Sequence, residues 1–197
     1  MNNYIDKIIE LSNTNQNKAF NIINELDIEN AFKNIGARVN LVGSLKMGLL
    51  VKNKDIDFHV YTSELNIEKS FYAISKIASN ENIQKITYTN LIYTDEHCIE
   101  WHLFYEYSED EIWQIDIIHI LEGSYYDGYF EKVAYDIINM LTEEKRNIIL
   151  KLKYETPDDI KIIGMEYYKA VLQNNITTFE DFIKWRDKQF FNGIIKF

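Results

Sequence analysis

The chain has 197 residues, of which 46% are hydrophobic and 14% aromatic, and these values predict one domain with a well-filled core, or a core with a small appendage. Its net charge of −10 disfavours a protein that grips long DNA or RNA, because such proteins usually present lysine and arginine to the phosphates. The single cysteine, Cys98, excludes an internal disulfide and fits a reducing compartment.

The sequence shows no segment that predicts export or membrane insertion. Residues 1–10 lack the basic region followed by an apolar run that marks a signal peptide. No apolar stretch is long enough to span a bilayer. We therefore expect a soluble, cytoplasmic protein.

Hydrophobic spacing and capping residues predict the elements of the first half of the chain. Apolar residues three and four positions apart indicate helices, and alternation of apolar with polar residues indicates strands. In chain order these are helices over 3–11, 15–26 and 27–33, a strand over 38–42, a helical turn over 45–50, a strand over 55–61, a helix over 67–78 and a strand over 83–93. Asp27 is the expected cap of the third helix, and Gly36 is expected to end it.

Two alternating runs, 98–107 and 112–120, predict a β-hairpin with a definite register. Register follows from matching the apolar face of one strand to the apolar face of the other. The matched pairs are Leu103 with Ile115, Tyr105 with Trp113, His102 with Asp116 and Glu100 with Ile118. A slip of one residue would put Glu100 and His102 on the opposite face.

The rest of the chain is predicted to be helical. Cap-forming residues divide it into four helices. These are 127–141 with Asp127 as cap, 142–151 with Thr142 as cap, a helix from Thr156 with Pro157 in its first turn, and a last helix capped by Thr178.

One motif joins the first two strands of the predicted sheet. Gly43-Ser44 closes the first strand, and Asp55-Ile56-Asp57 opens the second after ten residues. Glycine lets the backbone turn and approach a phosphate, and a helix that begins there offers free N–H groups to an anion. Asp55 and Asp57 project from one face of a strand, where two carboxylates repel each other unless cations lie between them. Asp116, within an apolar run, also needs a partner if it is ionised.

This arrangement resembles the nucleotidyltransferase superfamily typified by DNA polymerase β, in a small, bacterial-type form. The family pattern is Gly followed by Gly or Ser, a spacer, Asp-apolar-Asp, and a third carboxylate on a later strand, which Asp116 matches. Gly48 is one position away from a further glycine that is common in the spacer, and Lys54 stands where many members have serine. The resemblance extends from Gly36 to Ile120.

The resemblance implies an α+β fold with a polymerase-β-like mixed β-sheet, helices on one side of it, and a C-terminal helical part that closes a cleft. Residues 1–125 would form the nucleotidyltransferase core with the N-terminal helices, and residues 126–197 a helical subdomain. The implied activity is transfer of a nucleoside monophosphate from an NTP to a hydroxyl with release of pyrophosphate, and nucleotide binding that includes ATP.

The resemblance also implies the roles of individual residues. Asp55, Asp57 and Asp116 would be the catalytic residues and the ligands of two Mg²⁺ or Mn²⁺ ions, which stabilise the attacking and leaving oxygens. Gly43 and Ser44 would bind the β- and γ-phosphates of the nucleotide. The candidates for neutralising phosphate charge are Lys46, Lys151 and Lys153.

The acceptor is left open by the sequence. Family precedent and the acidic charge favour a small molecule, such as an antibiotic of the aminoglycoside or lincosamide type, over long nucleic acid. Glu100 and His102 are candidate acceptor contacts or proton-transfer groups beside Asp116, and the alternative is a solvated strand face with His102 hydrogen-bonded to Asp116. His59 would lie on the face of Asp55 and Asp57, and His119 on the other face in a structural role.

Two other functions fit the motif. Some small members of the superfamily modify a tyrosine, serine or threonine of a partner protein, as antitoxin-like enzymes do. A non-catalytic nucleotide-binding regulatory protein is the weakest alternative, because all three carboxylates of the pattern are present.

Overall fold

The computed structural model describes residues 2–189 and 197. The elements are α1 Asn2–Leu26, α2 Ile28–Lys33, β1 Arg38–Val42, α3 Gly43–Lys46, β2 Asp55–Thr62, α4 Ile67–Ala78, β3 Ile83–Leu91, β4 Cys98–Ser108, β5 Glu111–Leu121, α5 Tyr129–Met140, α6 Glu143–Glu155, α7 Gly164–Tyr168 with a π-helical continuation over Lys169–Gln173, and α8 Phe179–Arg186. None of the helices within these residues has the length and apolar content that a membrane span needs.

Five strands form one mixed sheet in the order β1-β2-β5-β4-β3. Strands β2 and β5 are parallel, and the other neighbouring pairs are antiparallel. The predicted hairpin register is confirmed, because His102 lies opposite Asp116 and Glu100 opposite Ile118. The α+β architecture predicted from the motif is therefore the one the chain adopts.

The two faces of the sheet differ in character because side chains alternate along each strand. One face is apolar and carries large side chains such as Phe58, Trp101 and Trp113, which pack against α2, α4 and the second half of α1. The other face carries Asp55, Asp57, Asp116, Glu100 and His102. The polar face of the sheet therefore lies on the side opposite this core.

A second apolar core joins the C-terminal helices to the N-terminal one. It contains residues from α1, from the segment between α3 and β2, and from α5, α6, α7 and α8. Three consecutive residues of the α3–β2 segment divide between the two cores: Leu49 and Val51 belong to the helical core, and Leu50 belongs to the core under the sheet. Residues 190–196 of the predicted C-terminal subdomain lie outside the described residues.

The prediction of two helices before residue 27 is wrong, because α1 runs unbroken from Asn2 to Leu26. The polar residues between the two apolar stripes make tertiary bonds. Ser12 Oγ donates to Leu50 O and Asn15 Nδ2 donates to Val51 O, each at 2.6 Å. These contacts satisfy buried polar groups inside the helix, so the polar interruption does not end it.

Three cap predictions fail for the same kind of reason. Asp27 does not cap α2 with its side chain, which instead accepts a bond from Asn30 Nδ2 at 2.8 Å. Helix α5 begins after Gly128, and Asp127 accepts from Gly123 N at 2.9 Å. No helix starts at Thr156, which ends α6, and its hydroxyl donates to Leu152 O at 2.8 Å. Each side chain that could cap a helix forms another local bond.

The caps predicted at Thr142 and Thr178 are confirmed. Their side-chain oxygens accept bonds from the main-chain N–H of Lys145 and Asp181. Helix α6 runs beyond its predicted end at Lys151 to Glu155, and this extra turn carries Lys153.

Candidate active site

Gly43 and Asp57 touch where β1 meets α3. Val42 pairs with Asp57 across β1 and β2, and Gly43 follows with a φ of +69°. A Cβ atom added to Gly43 would overlap the Asp57 carboxylate. The position requires glycine for two reasons, its left-handed backbone and the close approach of this carboxylate.

The three aspartates lie on the two parallel strands at the middle of the sheet. Asp57 pairs directly with Asp116, and Asp55 pairs with Gln114. Asp55 Oδ1 is buried without a hydrogen-bond partner. Asp116 Oδ1 accepts bonds from His102 Nδ1 at 2.6 Å and from Gln114 Nε2 at 2.8 Å. One carboxylate is thus fixed by hydrogen bonds, while another presents a bare oxygen.

Burial and mutual repulsion make the site electrostatically costly without a cation. Burial, followed by the negative charges of Asp55 and Asp116, raises the pKa of Asp57. The pKa of Asp55 is also raised by burial, and the charge of Lys153 partly opposes this. Positive charge close to the two carboxylates would therefore favour their ionised forms.

Lys153 brings one positive charge into the site. It is buried on the last turn of α6, and its Nζ donates to Leu49 O at 2.7 Å. Burial lowers its pKa to about 8, against the opposing effect of Asp55 and Asp57. Its ammonium also lies 5.8 Å from the centre of the Tyr168 ring.

Of the three lysines considered from the sequence, Lys153 is the one that lines the cleft with the aspartates. Lys151 lies outside the cleft and near Glu155, at 3.8 Å. Lys46 is exposed and lines a different groove with Asn40 and Glu131. The structure therefore does not bring Lys46 or Lys151 to the aspartates.

Asp55 and Asp57 line a cleft of about 400 Å³, and Asp116 lies beside Asp57 but outside the lining of this cleft. Ser44, Asn53 and Lys153 lie at the same end as the carboxylates. An apolar wall comes from α5, from the segment that leads into α7 and from the first turn of α7. Its residues include Phe130, Val133, Ala134, Ile137, Ile162 and Met165.

Helix α5 is fixed over the sheet edge by polar contacts. Tyr61 Oη donates to Glu131 at 2.6 Å, and Asn40 Nδ2 donates to the same oxygen at 2.9 Å. Arg38 pairs with Asp127 just before the helix at 2.6 Å. The apolar wall of the cleft is therefore attached to β1, which ends just before Gly43, and to β2, which carries two of the aspartates.

A smaller groove of about 150 Å³ adjoins the cleft on the polar face of the sheet. Glu96, Glu100 and Tyr126 line it, and it shares His59 and Phe130 with the cleft. The rings of His59 and Phe130 meet edge to face with 4.9 Å between centroids. Glu100 therefore lies in a groove beside the cleft, and His102 lies against Asp116.

His119 points to the opposite face, as the alternation predicts. It is fully buried, with Nδ1 3.0 Å from Ser70 Oγ and Nε2 2.8 Å from Thr62 Oγ1. These contacts to α4 and β2 make it part of the packing beneath the sheet.

The donor atoms of the site suit a hard divalent cation. Carboxylate oxygens are the ligands that Mg²⁺ and Mn²⁺ prefer, and the buried, unpartnered Asp55 Oδ1 is an atom that such an ion would satisfy. Within residues 2–189 and 197, no three His, Cys, Asp or Glu side chains are already gathered as a metal site. An ion held by all three aspartates would therefore require their side chains to move.

Solved structures with a similar fold include RNA terminal uridylyl transferases and a non-canonical poly(A) polymerase. The RNA terminal uridylyl transferase Cid1 matches at a TM-score of 0.59 and 16% identity, over 89% of this chain and 54% of Cid1. GLD-2, in its complex with RNP-8, matches at a TM-score of 0.57 and 10% identity, over 85% of this chain and 64% of GLD-2. A cytoplasmic RNA terminal U-transferase matches at a TM-score of 0.53 and 14% identity, over 84% of this chain and 51% of that protein.

The chain spans between about half and two thirds of the length of these proteins. Comparisons with family models and with curated protein sequences give no match. At these identities the likeness concerns the fold. The chain has the fold of the polymerase-β-like nucleotidyltransferases, as its motif predicts.

Proposed function

We propose that the protein is a Mg²⁺-dependent nucleotidyltransferase that moves a nucleoside monophosphate from an NTP to a hydroxyl and releases pyrophosphate. The observation that carries the proposal is the pairing of Asp57 with Asp116 on parallel strands, with Asp55 two residues before Asp57 on the same face of β2. A buried carboxylate oxygen without a partner supports it, because such an atom is costly unless it binds a ligand.

The residues of the cleft divide the work. Mg²⁺ held by Asp55, Asp57 and Asp116 would stabilise the charge that develops on the attacking and leaving oxygens. Gly43 and Ser44, at the start of α3, would bind phosphate oxygens through main-chain N–H groups and a hydroxyl. Lys153 would neutralise charge on the triphosphate. Asp116, oriented by His102 and Gln114, would accept the proton of the acceptor hydroxyl.

The acceptor that we propose is a small molecule with a free hydroxyl. Glu96 and Glu100 line the groove beside the cleft, and carboxylates there repel the phosphates of a nucleic acid. The net charge of −10 acts in the same direction. An amine-bearing alcohol, as in aminoglycoside or lincosamide antibiotics, would meet favourable charge in this groove.

A second candidate acceptor is the 3′-hydroxyl of RNA. Its support is the fold likeness to Cid1, an RNA terminal uridylyl transferase, and to GLD-2. The two candidates differ in charge, so that one experiment separates them.

The experiment is a transfer assay with α-phosphate-labelled NTPs and Mg²⁺. Acceptors are offered separately: aminoglycosides, lincosamides and a single-stranded oligoribonucleotide. Label on a small molecule supports the first acceptor, and label on RNA supports the second. No transfer to any acceptor, together with no Mg²⁺-dependent NTP binding in calorimetry, would contradict the proposed activity. Asp57→Asn serves as the inactive reference.

A further inference from the structure

The cleft has one polar end and one apolar end, and the two ends suit different parts of a nucleotide. The polar end is formed by Asp55, Asp57, Gly43, Ser44 and Lys153. A triphosphate must lie there, since charged oxygens need metal ions, N–H groups or an ammonium. The base must then extend towards the apolar wall formed by α5 and the segment before α7.

The apolar wall offers almost no side-chain hydrogen-bonding groups. From α5 it receives Val133, Ala134 and Ile137; Ile162 comes from the segment before α7, and Met165 comes from the first turn of α7. Among the residues that line the cleft in the described part of the chain, those from α5, the segment before α7 and the first turn of α7 carry no side-chain hydrogen-bonding atom. Tyr168, at the end of α7, also lines the cleft, but its ring lies 5.8 Å from Lys153 Nζ, on the side of the polar end.

Two other polar side chains border the cleft, and neither is placed to read a base strongly. His59 is buried with its ring against Phe130, and its Nδ1 faces Tyr61 Oη at 3.4 Å. Asn53 is exposed, in the loop before β2, and also lines a second groove with Lys52 and Lys153. A hydrogen bond to an exposed amide competes with water and discriminates weakly.

We infer that the cleft holds the base of the donor by packing and does not read its hydrogen-bonding edge, so that all four NTPs are donors. The inference rests on the proposed function and concerns the substrate range of that same site. Sites that read a polar edge reject the wrong substrate by about 10⁴-fold or more, whereas apolar pockets reach about 10- to 200-fold. The expected spread of affinities among ATP, GTP, CTP and UTP is therefore below about 200-fold. Purines should bind better because they offer more surface for packing.

The test is calorimetric titration of each of the four NTPs with Mg²⁺ into the full chain. Four dissociation constants within about 200-fold of one another, with ATP and GTP the tighter pair, are expected. One NTP that binds more than about 1,000-fold tighter than the rest would overturn this inference and leave the proposed function standing. Binding of none of the four, with or without an acceptor present, would overturn both.

Two variants test whether packing on the apolar wall sets the affinity. Met165→Ala and Ile163→Ala shorten side chains that line the cleft, and Ile163 is 58% exposed, so its loss should not unfold the protein. Each should weaken the binding of all four NTPs by about three- to tenfold, with the larger losses for ATP and GTP, because the purines pack more surface on this wall. A change in affinity for one base alone would contradict the inference. Unchanged binding of all four by both variants would contradict it as well.

Discussion

Asp57 and Asp116 are direct neighbours in the parallel pair β2–β5, so their carboxylates project from the same face of the sheet at the same level. Two strands far apart in sequence thus bring together two like charges. Such a pairing is unfavourable in the fold alone. It becomes favourable when a cation lies between the carboxylates.

Asp57→Asn should therefore separate activity from stability. We expect kcat to fall by at least about a hundredfold, because a neutral amide is a poor Mg²⁺ ligand. In EDTA the variant should be at least as stable as the wild type above neutral pH, since a buried charge with a raised pKa has been removed. Enzyme assays and thermal unfolding measure the two effects. Asp110→Asn, in the exposed hairpin turn, is the control, and an active Asp57→Asn enzyme would disprove the assignment.

Gly43→Ala should inactivate the protein, and Gly36→Ala should not. Both glycines have positive φ, +69° and +83°, so both alanines carry similar backbone strain of about 1 kcal/mol. A Cβ at Gly43 would also displace the Asp57 carboxylate, whereas nothing lies within 4 Å of a Cβ at Gly36. Urea unfolding and the transfer assay compare the pair. Equal activity losses in the two variants would show that strain alone, without the contact to Asp57, is responsible.

Lys153→Met should weaken Mg²⁺–NTP binding by about tenfold or more, because the buried ammonium contributes a charge-assisted contact to phosphate. It should also lower the free energy of unfolding by about 1–3 kcal/mol, since Leu49 O loses its donor. Lys151→Met, two residues earlier on α6, is the matched control and should change the affinity less than twofold. Calorimetry decides, and similar losses in both variants would remove Lys153 from the site.

His119 should make the metal-free protein less stable as the pH falls. Burial lowers its pKa to about 4, so between pH 6.5 and 4 the unfolded chain binds a proton that the folded chain does not. Stability is fully present above about pH 6.5 and decreases by up to about 3 kcal/mol towards pH 4. His59, whose pKa burial also lowers to about 4, acts in the same direction.

Urea unfolding at several pH values, in EDTA, measures this dependence. His119→Gln cannot titrate and should show a shallower decline than the wild type over the same range. An identical slope in the two proteins would mean that protonation of His119 does not contribute.

The strands and the register of the hairpin could be predicted from the residues because their signals are local, whereas the mixed sheet is implied only by the family resemblance. In the hairpin, alternation has a period of two and both strands are long, so only one register buries Trp113 and Leu103 together. The Gly43-Ser44 and Asp55–Asp57 motif lies within two adjacent strands and the turn between them. The position of Asp116 follows from the same alternation.

The walls of the cleft could not be predicted in this way. Ile137 and Val133 form the apolar stripe of an amphipathic helix, and such a stripe looks the same whether it faces a core or a cleft. The sequence does not tell which of Lys151 and Lys153 faces the cleft. That depends on which side of α6 packs against Leu49. The break predicted inside α1 failed because Ser12 has a distant partner that the sequence does not reveal.

The segment between α3 and β2 connects the helical core with the core under the sheet. Its consecutive carbonyls, at Leu49, Leu50 and Val51, accept bonds from α6 and α1, and its side chains alternate between the two cores. Unfolding of either core would break the contacts of this segment with the other core. The helical and sheet halves should therefore unfold in one cooperative transition, and the segment that leads to Asp55 is held as rigidly as the rest of the fold.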